Sequence, residues 1–439
     1  MKLAILGGGG FRVPLVYQAL TRGQAEPGQL IDELWLHDTD PGRLVVIENV
    51  LRQLPGSVTL RATTRLDDAL AGADFVFSAI RVGGLAGRIA DERAAIEAGL
   101  VGQETTGPGG LAYALRTIPV ARHVARRVLA LAPDAYLINF TNPAGIITEA
   151  MQELLGDRVI GICDTPSGLG ARLAGLFGVP SGEVRLDYAG LNHLGWLRAA
   201  HYQDRDLVQE VLAPSNAARL DGLEEAQIMG PDWLRILGLL PNEYLYYFYR
   251  NREARRAGRG GGTRGEILRG QQDEFYAAAT ARPDQALAAW RRALSERESS
   301  YMAEARPAGA ARPASGGGYE YVALGLMHAI ATGEPRTMIL NVRNRDTLPG
   351  LPPDAVVEVP CEVDDAGPRP LAPTPPRGAE LGLLQQVKAV ERLTIRAAVD
   401  RNPDLAVQAL ALHPLVDSVA VARDLLTAYR RVNPALFAA

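Results

Sequence analysis

The segment KLAILGGGGFRVPLVYQAL, residues 2–20, is the strongest indication of fold class in this 439-residue chain. A short apolar run, 2–6, leads directly into four glycines, and an apolar helix-like segment follows them. An apolar run of this length favours a buried strand, and glycine permits the tight turn that must follow it. The segment therefore predicts the strand, glycine turn and helix start that are typical of a parallel α/β sheet.

Four further apolar runs in the first half have the same character, and each is predicted to be a strand. They cover residues 33–38, 73–81, 135–143 and 158–164, with helix-like segments between them. Ligands of such sheets bind beyond the carboxyl ends of the strands. Each predicted strand delivers glycine or a polar group there, and the set comprises Gly7 to Gly10, Asp38, Arg81, Asn142 and Cys163.

The second half is less regular and is predicted to be mixed α+β. Residues 184–202 and 355–363 have strand character, and the last 60 or so residues look helical. We expect a Rossmann-type, NAD-binding domain at 1–170 and a substrate-binding and dimerisation domain at 171–439.

Composition excludes several classes of protein. Hydrophobic residues make up 47% of the chain and charged residues 22%, which is ordinary for a soluble globular protein. The net charge of −4 comes without a long run of like charge, which disfavours nucleic acid and membrane surfaces as partners. The first apolar run is too short for a signal peptide or membrane span, and two distant cysteines make no disulfide framework. We expect a reduced, cytoplasmic protein.

The glycine turn favours a dinucleotide. Gly7 and Gly9 fit the first two glycines of G-x-G-x-x-G, whereas Arg12 stands at the third. Asp38, at the end of the second strand, can accept both ribose hydroxyls of NAD and would repel a 2′-phosphate. The alternative is a plain α/β turn that binds no cofactor.

Cys163 and His193 each follow a strand-like run, and a thiolate and an imidazole can bind a divalent metal. Two protein ligands would leave an open site, in which substrate and water complete the coordination. The alternative, which the pair taken alone favours, is a buried cysteine and a core histidine.

Three other groups also have two interpretations. Asn142 can contact nicotinamide or a sugar hydroxyl, or it can belong to an Asn-Pro turn. Arg81 can hold an anionic or hydroxylated substrate, or it can form a surface ion pair. The tyrosines of NEYLYYFY, residues 242–249, are usual in core packing.

Taken together, these segments resemble family 4 of the glycoside hydrolases, 6-phospho-glucosidases that depend on NAD and a divalent metal. The likeness covers most of the chain and rests on long motifs in order: GGGGFRVPL (7–15), LHDTDPGR (36–43), IRVGG (80–84), GQETTGPGGLAYALRTIPV (102–120), NFTNPAGIITEA (139–150), GICDTP (161–166), GLNHLGW (190–196), LLPNEYLYYF (239–248), TRGE (263–266) and LPPDAVVEVPC (351–361).

The resemblance implies a lactate-dehydrogenase-like fold and a set of site residues. Cys163 and His193 would bind a divalent ion, usually manganese. Tyr244 falls at the position of the catalytic base, and Asp164 matches the position of a general acid in some members. Arg81, Asn142 and Arg264 would contact the sugar. NAD would lie against Gly7, Gly9, Gly10, Asp38, Arg43 and Asn142. A homodimer or homotetramer is expected.

The resemblance also implies the chemistry. NAD⁺ takes hydride from C3 of the sugar, and the resulting ketone acidifies the proton on C2. The metal stabilises the developing enediolate while Tyr244 removes that proton. The glycosidic oxygen then leaves from C1, water adds, and the steps reverse.

The chain departs from the family pattern at positions that bear on the substrate. Gly10 stands where the family has serine, and Val13-Pro14 where it has Thr-Pro. Asn344-Arg345-Asp346 replaces Asn-Asn-Gly, and Ser315 replaces an arginine. Asp164 resembles the α-acting members, whereas the motifs at 139–150 and 239–248 resemble the β-acting ones. We predict a 6-phospho-β-glucosidase.

Four alternatives to that prediction remain. Under these alternatives the chain would be a 6-phospho-α-glucosidase, a family member that acts on a non-phosphorylated glycoside, a 2-hydroxyacid dehydrogenase of the lactate/malate type, or an inactive NAD sensor. A dehydrogenase would leave Cys163 and the tyrosines without a role, and the intact Cys163, His193 and Tyr244 disfavour the sensor.

Overall fold

The first six strands form a parallel sheet, as the alternating pattern predicts. In the computed structural model, which describes residues 1–22, 30–299 and 318–437, these strands are β1 (Lys2–Leu6), β2 (Glu33–His37), β3 (Thr59–Thr63), β4 (Phe75–Ser78), β5 (Tyr136–Asn139) and β6 (Val159–Gly161). Their order is β3-β2-β1-β4-β5-β6, and all neighbours are parallel. This is the strand order of a dinucleotide-binding sheet.

The sheet continues with antiparallel strands from the second half of the chain. These are β7 (Arg185–Leu191), β8 (Leu194–Tyr202), β9 (Arg205–Asp206), β10 (Leu240–Pro241), β11 (Arg336–Arg343), β12 (Val356–Asp364) and β13 (Gly367–Pro370). From β6 the order runs β11-β12-β7-β8-β10, with β13 beside β12 and β9 beside β8. The sheet is therefore continuous between the first and second halves of the chain. The domain boundary at 170/171 stays a prediction.

Helices cover the sheet and form most of the remaining structure. They are α1 (Val13–Arg22), α2 (Pro41–Arg52), α3 (Leu66–Leu70), α4 (Gly84–Glu97), α5 (Pro108–Leu131), α6 (Ala144–Leu155), α7 (Thr165–Phe177), α8 (Leu207–Leu212), α9 (Ala217–Asp221), α10 (Glu224–Met229), α11 (Pro231–Leu237), α12 (Tyr246–Tyr249), α13 (Asn251–Gly258), α14 (Arg264–Ala281), α15 (Ala286–Ser299), α16 (Tyr319–Thr332), α17 (Gly378–Val399), α18 (Pro403–Leu412) and α19 (Val419–Val432).

Both faces of the central strands of the parallel sheet are buried. In β1, Leu3 and Ile5 belong to one apolar core, and Ala4 and Leu6 belong to a second core on the other face. Alternate side chains of a strand point to opposite faces, so a strand between two helical layers must be apolar throughout. This is why KLAIL reads as a continuous apolar run.

The sequence missed β3, whose side chains are mostly half-buried or exposed and therefore give no apolar run. The other strands of the parallel sheet were predicted, and the carboxyl end of each lies close to the glycine or polar residue that the sequence predicts there. No helix among the described residues is long and apolar enough to cross a membrane.

Candidate active site

The glycine turn after β1 brings backbone against backbone. Gly7 has a φ of +85°, and a Cβ added there would lie 2.6 Å from the carbonyl oxygen of Ala79. A Cβ on Gly9 would lie 3.0 Å from Oδ2 of Asp38 and 2.8 Å from Cβ of Arg43. Only glycine fits these positions, and the absence of side chains leaves a cradle beside the start of α1.

Asp38 lies next to that cradle, directly after β2, at the strand end where the sequence predicts it. Its Oδ2 accepts a hydrogen bond from the backbone N–H of Gly9 at 3.0 Å, and its Oδ1 accepts one from Asp40 at 3.1 Å. A carboxylate oxygen can accept more than one hydrogen bond, so both oxygens keep capacity for hydroxyl groups. These two bonds fix the orientation of the carboxylate beside the glycine turn.

Tyr276 completes this part of the site and was missed by the sequence analysis. Its hydroxyl donates to the carbonyl oxygen of Gly9 at 2.6 Å, and the guanidinium of Arg43 lies 4.4 Å from the centre of its ring. The predicted cofactor residue Arg43 is therefore held by a tyrosine from α14. No local signal marks Tyr276, because 267 positions of sequence separate it from Gly9.

Arg81 begins a chain of alternating charges instead of forming a surface ion pair. Its Nη1 donates to Glu104 at 2.5 Å, and Arg88 binds the other oxygen of Glu104 at 2.7 Å. Arg88 also donates to Glu92 at 2.7 Å, and Glu92 accepts from the backbone N–H of Gly265 at 2.8 Å. This series of charged side chains thus runs from the carboxyl end of β4 to the start of α14, where Arg264 lies.

Glu104 is the anionic centre of that chain. Burial alone would raise its pKa, but Arg81 and Arg88 outweigh burial and lower the pKa to about 2. The carboxylate is therefore charged throughout the physiological range. Glu104 belongs to the motif GQETTGPGG, and no role was predicted for it because its arginine partners are distant in the chain.

Cys163 follows β6 and is buried, with its thiol 3.5 Å from Oγ1 of Thr165. Burial first, and then the nearby charges of Glu358 and Asp164, raise the pKa of this thiol well above its ordinary value. The thiolate therefore needs a positive charge beside it. A divalent ion supplies such a charge, and Asp164 lies half-buried next to it in sequence.

His193 lies in the tight turn between β7 and β8, with a left-handed φ of 64°. Its ring is buried, and burial lowers its pKa to about 4, so the imidazole is neutral near pH 7. Its Nδ1 has no hydrogen-bond partner within the described ranges. A neutral imidazole with a free nitrogen is the form that binds metals, and the strained backbone suits a functional position.

Tyr244 stacks on His193. The two ring centroids lie 3.8 Å apart, and the planes are 10° from parallel. The backbone N–H of Tyr244 donates to Oδ1 of Asn242 at 3.1 Å, which fixes the short 3₁₀ turn that carries it. The predicted base and a predicted metal ligand are therefore brought into contact.

A buried carboxylate, Glu358, joins the metal-ligand segments and was also missed. It accepts hydrogen bonds from Tyr188 at 3.1 Å, Asn192 at 3.2 Å and Asn341 at 2.9 Å. Asn192 directly precedes His193, and the charge of Glu358 acts on Cys163. Burial raises the pKa of Glu358 to about 7. The feature of the sequence that could have identified Glu358 is a glutamate inside an otherwise apolar strand, AVVEVP.

Asn142 lies half-buried in the loop after β5. Thr141, its neighbour, accepts a hydrogen bond from the backbone of Ile80 at 3.0 Å, which ties this loop to the end of β4. A Cβ on Gly145, at the start of α6, would lie 3.2 Å from Cβ of Asn192. The Asn142 loop is therefore joined to Arg81 on one side and adjoins the His193 turn on the other.

Arg264 is the first residue of α14, behind a capping box formed by Thr263 and Glu266. Its Nη2 donates to the carbonyl oxygen of Arg297 at 3.1 Å. Ser315, the departure predicted to bear on the substrate, lies outside the described residues. Among the described residues there is no group of three or more His, Cys, Asp or Glu side chains placed for a metal.

Comparison with known proteins gives full-length matches. The family described as "Family 4 glycosyl hydrolase" matches residues 2–179, and "Family 4 glycosyl hydrolase C-terminal domain" matches residues 188–416. A probable 6-phospho-beta-glucosidase of Bacillus subtilis is 30% identical over 97% of this chain and 95% of its own length.

Solved structures agree with that assignment. The 6-phospho-beta glucosidase from Thermotoga maritima, solved with manganese, NAD⁺ and glucose-6-phosphate, has a TM-score of 0.82 and 27% identity, and the match covers 99% of this chain and 98% of that one. A 6-phospho-alpha-glucosidase from gut microorganisms, in complex with NAD and Mn²⁺, has a TM-score of 0.81, 25% identity and the same coverage.

The predicted lactate-dehydrogenase-like fold is confirmed. A malate dehydrogenase from Plasmodium falciparum matches 91% of this chain and 99% of its own, with a TM-score of 0.54 and 14% identity. At that identity the likeness concerns the fold alone.

Proposed function

Because the chain belongs to family 4 of the glycosyl hydrolases, we propose that it is an NAD- and manganese-dependent 6-phospho-β-glucosidase. The observation that carries the proposal is the stack of Tyr244 on His193. It sets the phenol ring of Tyr244 against an imidazole whose Nδ1 has no partner in the described structure. A proton acceptor next to a metal ligand suits removal of a carbon-bound proton and is foreign to hydrolysis by two carboxylates.

The cradle after β1 fits NAD. Gly7, Gly9 and Gly10 leave room for the pyrophosphate at the start of α1, and Asp38 would accept the ribose hydroxyls. Arg43, whose guanidinium packs on the ring of Tyr276, would close this side of the cradle. Asn142, at the end of β5, would meet the nicotinamide.

Cys163 and His193 fit an open divalent site. Burial and the charges of Glu358 and Asp164 raise the pKa of the thiol, so a bound cation would favour its thiolate, and burial keeps the imidazole neutral near pH 7. Manganese accepts nitrogen and oxygen ligands, and the sugar would supply the oxygens. Glu358 would fix the geometry from behind through Asn192 and Asn341.

When bound, NAD⁺ and the metal supply reversible oxidation at C3 of the sugar and polarisation of its O2 and O3. Tyr244 accepts the proton from C2 and later returns it. Asp164 gives a proton to the glycosidic oxygen as the C1–O bond breaks, and takes one back from the water that adds at C1. Arg81 and Arg264 hold the sugar while these proton transfers occur.

The substrate is assigned from the relatives and from charge. Relatives of both anomeric types carry a 6-phospho sugar in their names. The motifs at 139–150 and 239–248 favour the β-anomer, although Asp164 matches the α-acting pattern. Arg81 and Arg264 suit a phosphate, because guanidinium groups match its geometry.

The remaining assignments concern the whole protein. We infer that residues 1–170 bind NAD and that residues 171–439 bind substrate and form the subunit interface of a homodimer or homotetramer. Both cysteines are free thiols in the structure, which suits a reducing, cytoplasmic location.

Hydrolysis of a nitrophenyl β-glucoside 6-phosphate, with and without Mn²⁺ and NAD⁺, tests the proposal. We expect turnover only when both are present, and little with the α-anomer. Turnover that survives chelation and removal of NAD⁺ would overturn it. Faster cleavage of the α-anomer would overturn the anomeric assignment alone.

A further inference from the structure

We propose that three aromatic side chains from the second half of the chain, Tyr276, Trp290 and Tyr319, are positioning residues for NAD⁺. These "aromatic donors" hold the glycine turn after β1 in the conformation that the dinucleotide requires. Their role rests on the proposed function, because it concerns the same cradle. It extends that function by giving the half of the chain that would bind the sugar a part in binding the cofactor.

The aromatic donors bind the backbone of the glycine turn. Three carbonyl oxygens of the segment 9–12 each accept one hydrogen bond from an aromatic side chain. The pairs are Gly9 with the hydroxyl of Tyr276 at 2.6 Å, Phe11 with Nε1 of Trp290 at 2.8 Å, and Arg12 with the hydroxyl of Tyr319 at 3.0 Å. The donors lie on three consecutive helices, α14, α15 and α16, so the second half of the chain encloses the turn.

The side chains of the turn pack against the same three helices. The ring of Phe11 meets that of Phe275 edge-on, with 5.4 Å between centroids, and lies 6.4 Å from that of Trp290. The guanidinium of Arg12 lies 4.5 Å from the ring centre of Tyr319. Backbone and side chains of the segment 9–12 are therefore both fixed by α14, α15 and α16.

The aromatic donors keep their protons. Burial raises the pKa of the Tyr276 hydroxyl and that of the Tyr319 hydroxyl above the ordinary value. The indole nitrogen of Trp290 is a donor only. Each of the three groups therefore carries, near neutral pH, the proton that its hydrogen bond needs.

Fixing a carbonyl oxygen also fixes the next N–H group, because a peptide unit is planar. The bonds to Phe11 and Arg12 therefore orient the N–H groups of Arg12 and Val13, and α1 begins at Val13. The N–H groups at the start of a helix bind phosphate oxygens. The aromatic donors thus set the direction of groups that would meet the pyrophosphate of NAD⁺.

A buried carbonyl oxygen needs a donor wherever it lies, so a purely structural role is the alternative. Residues 7–10 are all glycine, whose backbone loses more conformational freedom on ordering than that of any other residue. A turn that is ordered before the ligand arrives leaves less of this cost to the binding step. The benefit is greatest in a turn without side chains, which favours a role in cofactor binding.

Two of the aromatic donors also contact other parts of the predicted NAD site. The ring centre of Tyr276 lies 4.4 Å from the guanidinium of Arg43. The ring of Tyr319 stacks on that of Phe140 at 3.9 Å, and Phe140 lies two positions before Asn142. The aromatic donors thus connect the glycine turn to the two other segments that are predicted to bind NAD.

Hydrogen–deuterium exchange of the NAD⁺-free, full-length protein tests this role without turnover. Tyr276→Phe and Tyr319→Phe each remove one donor and keep the ring, whereas no natural substitution of Trp290 removes only the N–H. Peptides that cover residues 7–13 should exchange about 3- to 10-fold faster in each variant than in the wild type, the usual effect of one lost hydrogen bond. Exchange in β5 and β12 should not change, and saturating NAD⁺ should restore slow exchange at 7–13.

Calorimetric titration measures the consequence for the cofactor. A turn that is ordered for only part of the time binds with an affinity reduced by that fraction. The Kd for NAD⁺ should therefore rise about threefold in each variant and about tenfold in the double variant, while the Kd for Mn²⁺ stays the same. In kinetics, the NAD⁺ concentration for half-maximal activity should rise by the same factor, and kcat at saturating NAD⁺ should be that of the wild type.

Two tyrosines serve as controls for the lost hydroxyl. Tyr321→Phe changes a side chain on the same helix as Tyr319 that is 50% exposed. Tyr249→Phe loses a hydrogen bond with Trp196 at 3.0 Å, outside the glycine turn. Neither variant should change exchange at 7–13 or the Kd for NAD⁺, even where stability falls. If Tyr319→Phe fails to fold, the half-buried Tyr276 still provides the test.

Unchanged exchange at 7–13 and unchanged NAD⁺ affinity in the double variant would overturn the role of the aromatic donors. Faster exchange throughout the protein with unchanged NAD⁺ affinity would overturn it too, because the hydroxyls would then only stabilise the fold. Both results leave the proposed function standing. Conversely, a wild type that binds NAD⁺ through this turn but cleaves no glucoside would overturn the proposed function alone.

Discussion

The ring of Tyr244 lies flat against the imidazole of His193, with 3.8 Å between centroids and 10° between planes. His193 is fixed by a strained hairpin turn, and Tyr244 by a 3₁₀ turn that Asn242 caps. Two segments distant in sequence thus place a tyrosine ring against a candidate metal ligand. This contact supports the role that the family resemblance implies for Tyr244.

We expect the hydroxyl of Tyr244 to be essential for turnover, whereas the ring without its hydroxyl should be sufficient for folding and for Mn²⁺ binding. Tyr244→Phe keeps the stack on His193, so folding and Mn²⁺ affinity should be preserved. Turnover should fall by about 10²- to 10⁴-fold, the usual contribution of a general base. Steady-state kinetics with calorimetric titration of Mn²⁺ measures both.

Tyr249→Phe is the matched control, because it removes a hydroxyl from the same cluster. That hydroxyl accepts from Nε1 of Trp196 at 3.0 Å, away from His193. Its loss should lower stability by about 1 kcal/mol and leave turnover intact. Equal activity in the two variants would reject Tyr244 as the base.

Cys163→Ser should abolish metal-dependent turnover while NAD⁺ still binds. A serine hydroxyl does not replace a thiolate as a ligand, whereas the cradle around Gly9 is unaffected. Titration of the variant with Mn²⁺ and NAD⁺ separates the two effects.

Cys361→Ser provides the comparison for Cys163. Cys361 is fully buried in β12 and its thiol lies 3.5 Å from the carbonyl oxygen of Val359. We expect reduced stability with normal Mn²⁺ affinity. A Cys163 variant that binds Mn²⁺ as the Cys361 variant does would contradict the metal assignment.

Glu358→Gln should weaken Mn²⁺ binding by about 10- to 100-fold, the effect usual for residues that orient metal ligands. An amide cannot accept on both sides, so the donors on Tyr188, Asn192 and Asn341 would not all be satisfied. Each unsatisfied donor costs about 1–3 kcal/mol of stability. Mn²⁺ titration and thermal unfolding measure the two effects.

Glu362→Gln controls for the lost charge. Glu362 lies on the same strand but is exposed, where it pairs with Arg369 at 2.8 Å. Its loss should have little effect on either measurement. If both variants bind Mn²⁺ as the wild type does, Glu358 does not position the metal ligands.

His413 should make the protein less stable in mild acid. Burial lowers its pKa to about 4, below the 6.5 expected when unfolded. Between these values the unfolded chain binds a proton that the folded protein excludes. Stability is therefore present above pH 6.5 and is lost as pH falls toward 4, by about 3 kcal/mol at most.

His413→Asn isolates this effect. His413 accepts from the backbone N–H of Leu415 at 3.0 Å, and an asparagine oxygen can replace that acceptor without titrating. Urea unfolding at several pH values should show a shallower loss of stability in the variant. The exposed His123→Asn should behave as the wild type, and an identical slope in all three would contradict the assignment.

Local pattern was sufficient for the parts of the site that lie at strand ends. The cradle at Gly7 and Gly9, and the carboxylate of Asp38, follow from an apolar run and the residue after it. Cys163 and His193 were predicted in the same way, although only the family motifs favoured a metal over core packing, and their role as metal ligands stays a prediction. Their positions are set by short-range geometry, which sequence records directly.

The missed residues act through long-range contacts. Tyr276 contacts Gly9 across 267 positions of sequence, and Glu358 contacts Tyr188 and Asn192 across 170 and 166 positions. Arg81 was open to interpretation as a surface ion pair until Glu104 was seen to bind it beside Arg88. No local pattern states which distant partner a buried charge has, so tertiary structure was needed.

Cleavage by oxidation and elimination, with exchange at C2, is tested by running the reaction in D₂O and examining the product sugar. A proton taken from C2 by Tyr244 can exchange with solvent before it returns, so the glucose 6-phosphate product should carry deuterium at C2. NMR or mass spectrometry of the product measures this, in reactions that contain Mn²⁺ and NAD⁺. Product with hydrogen retained at C2, formed at the full rate whether or not NAD⁺ is present, would contradict the account.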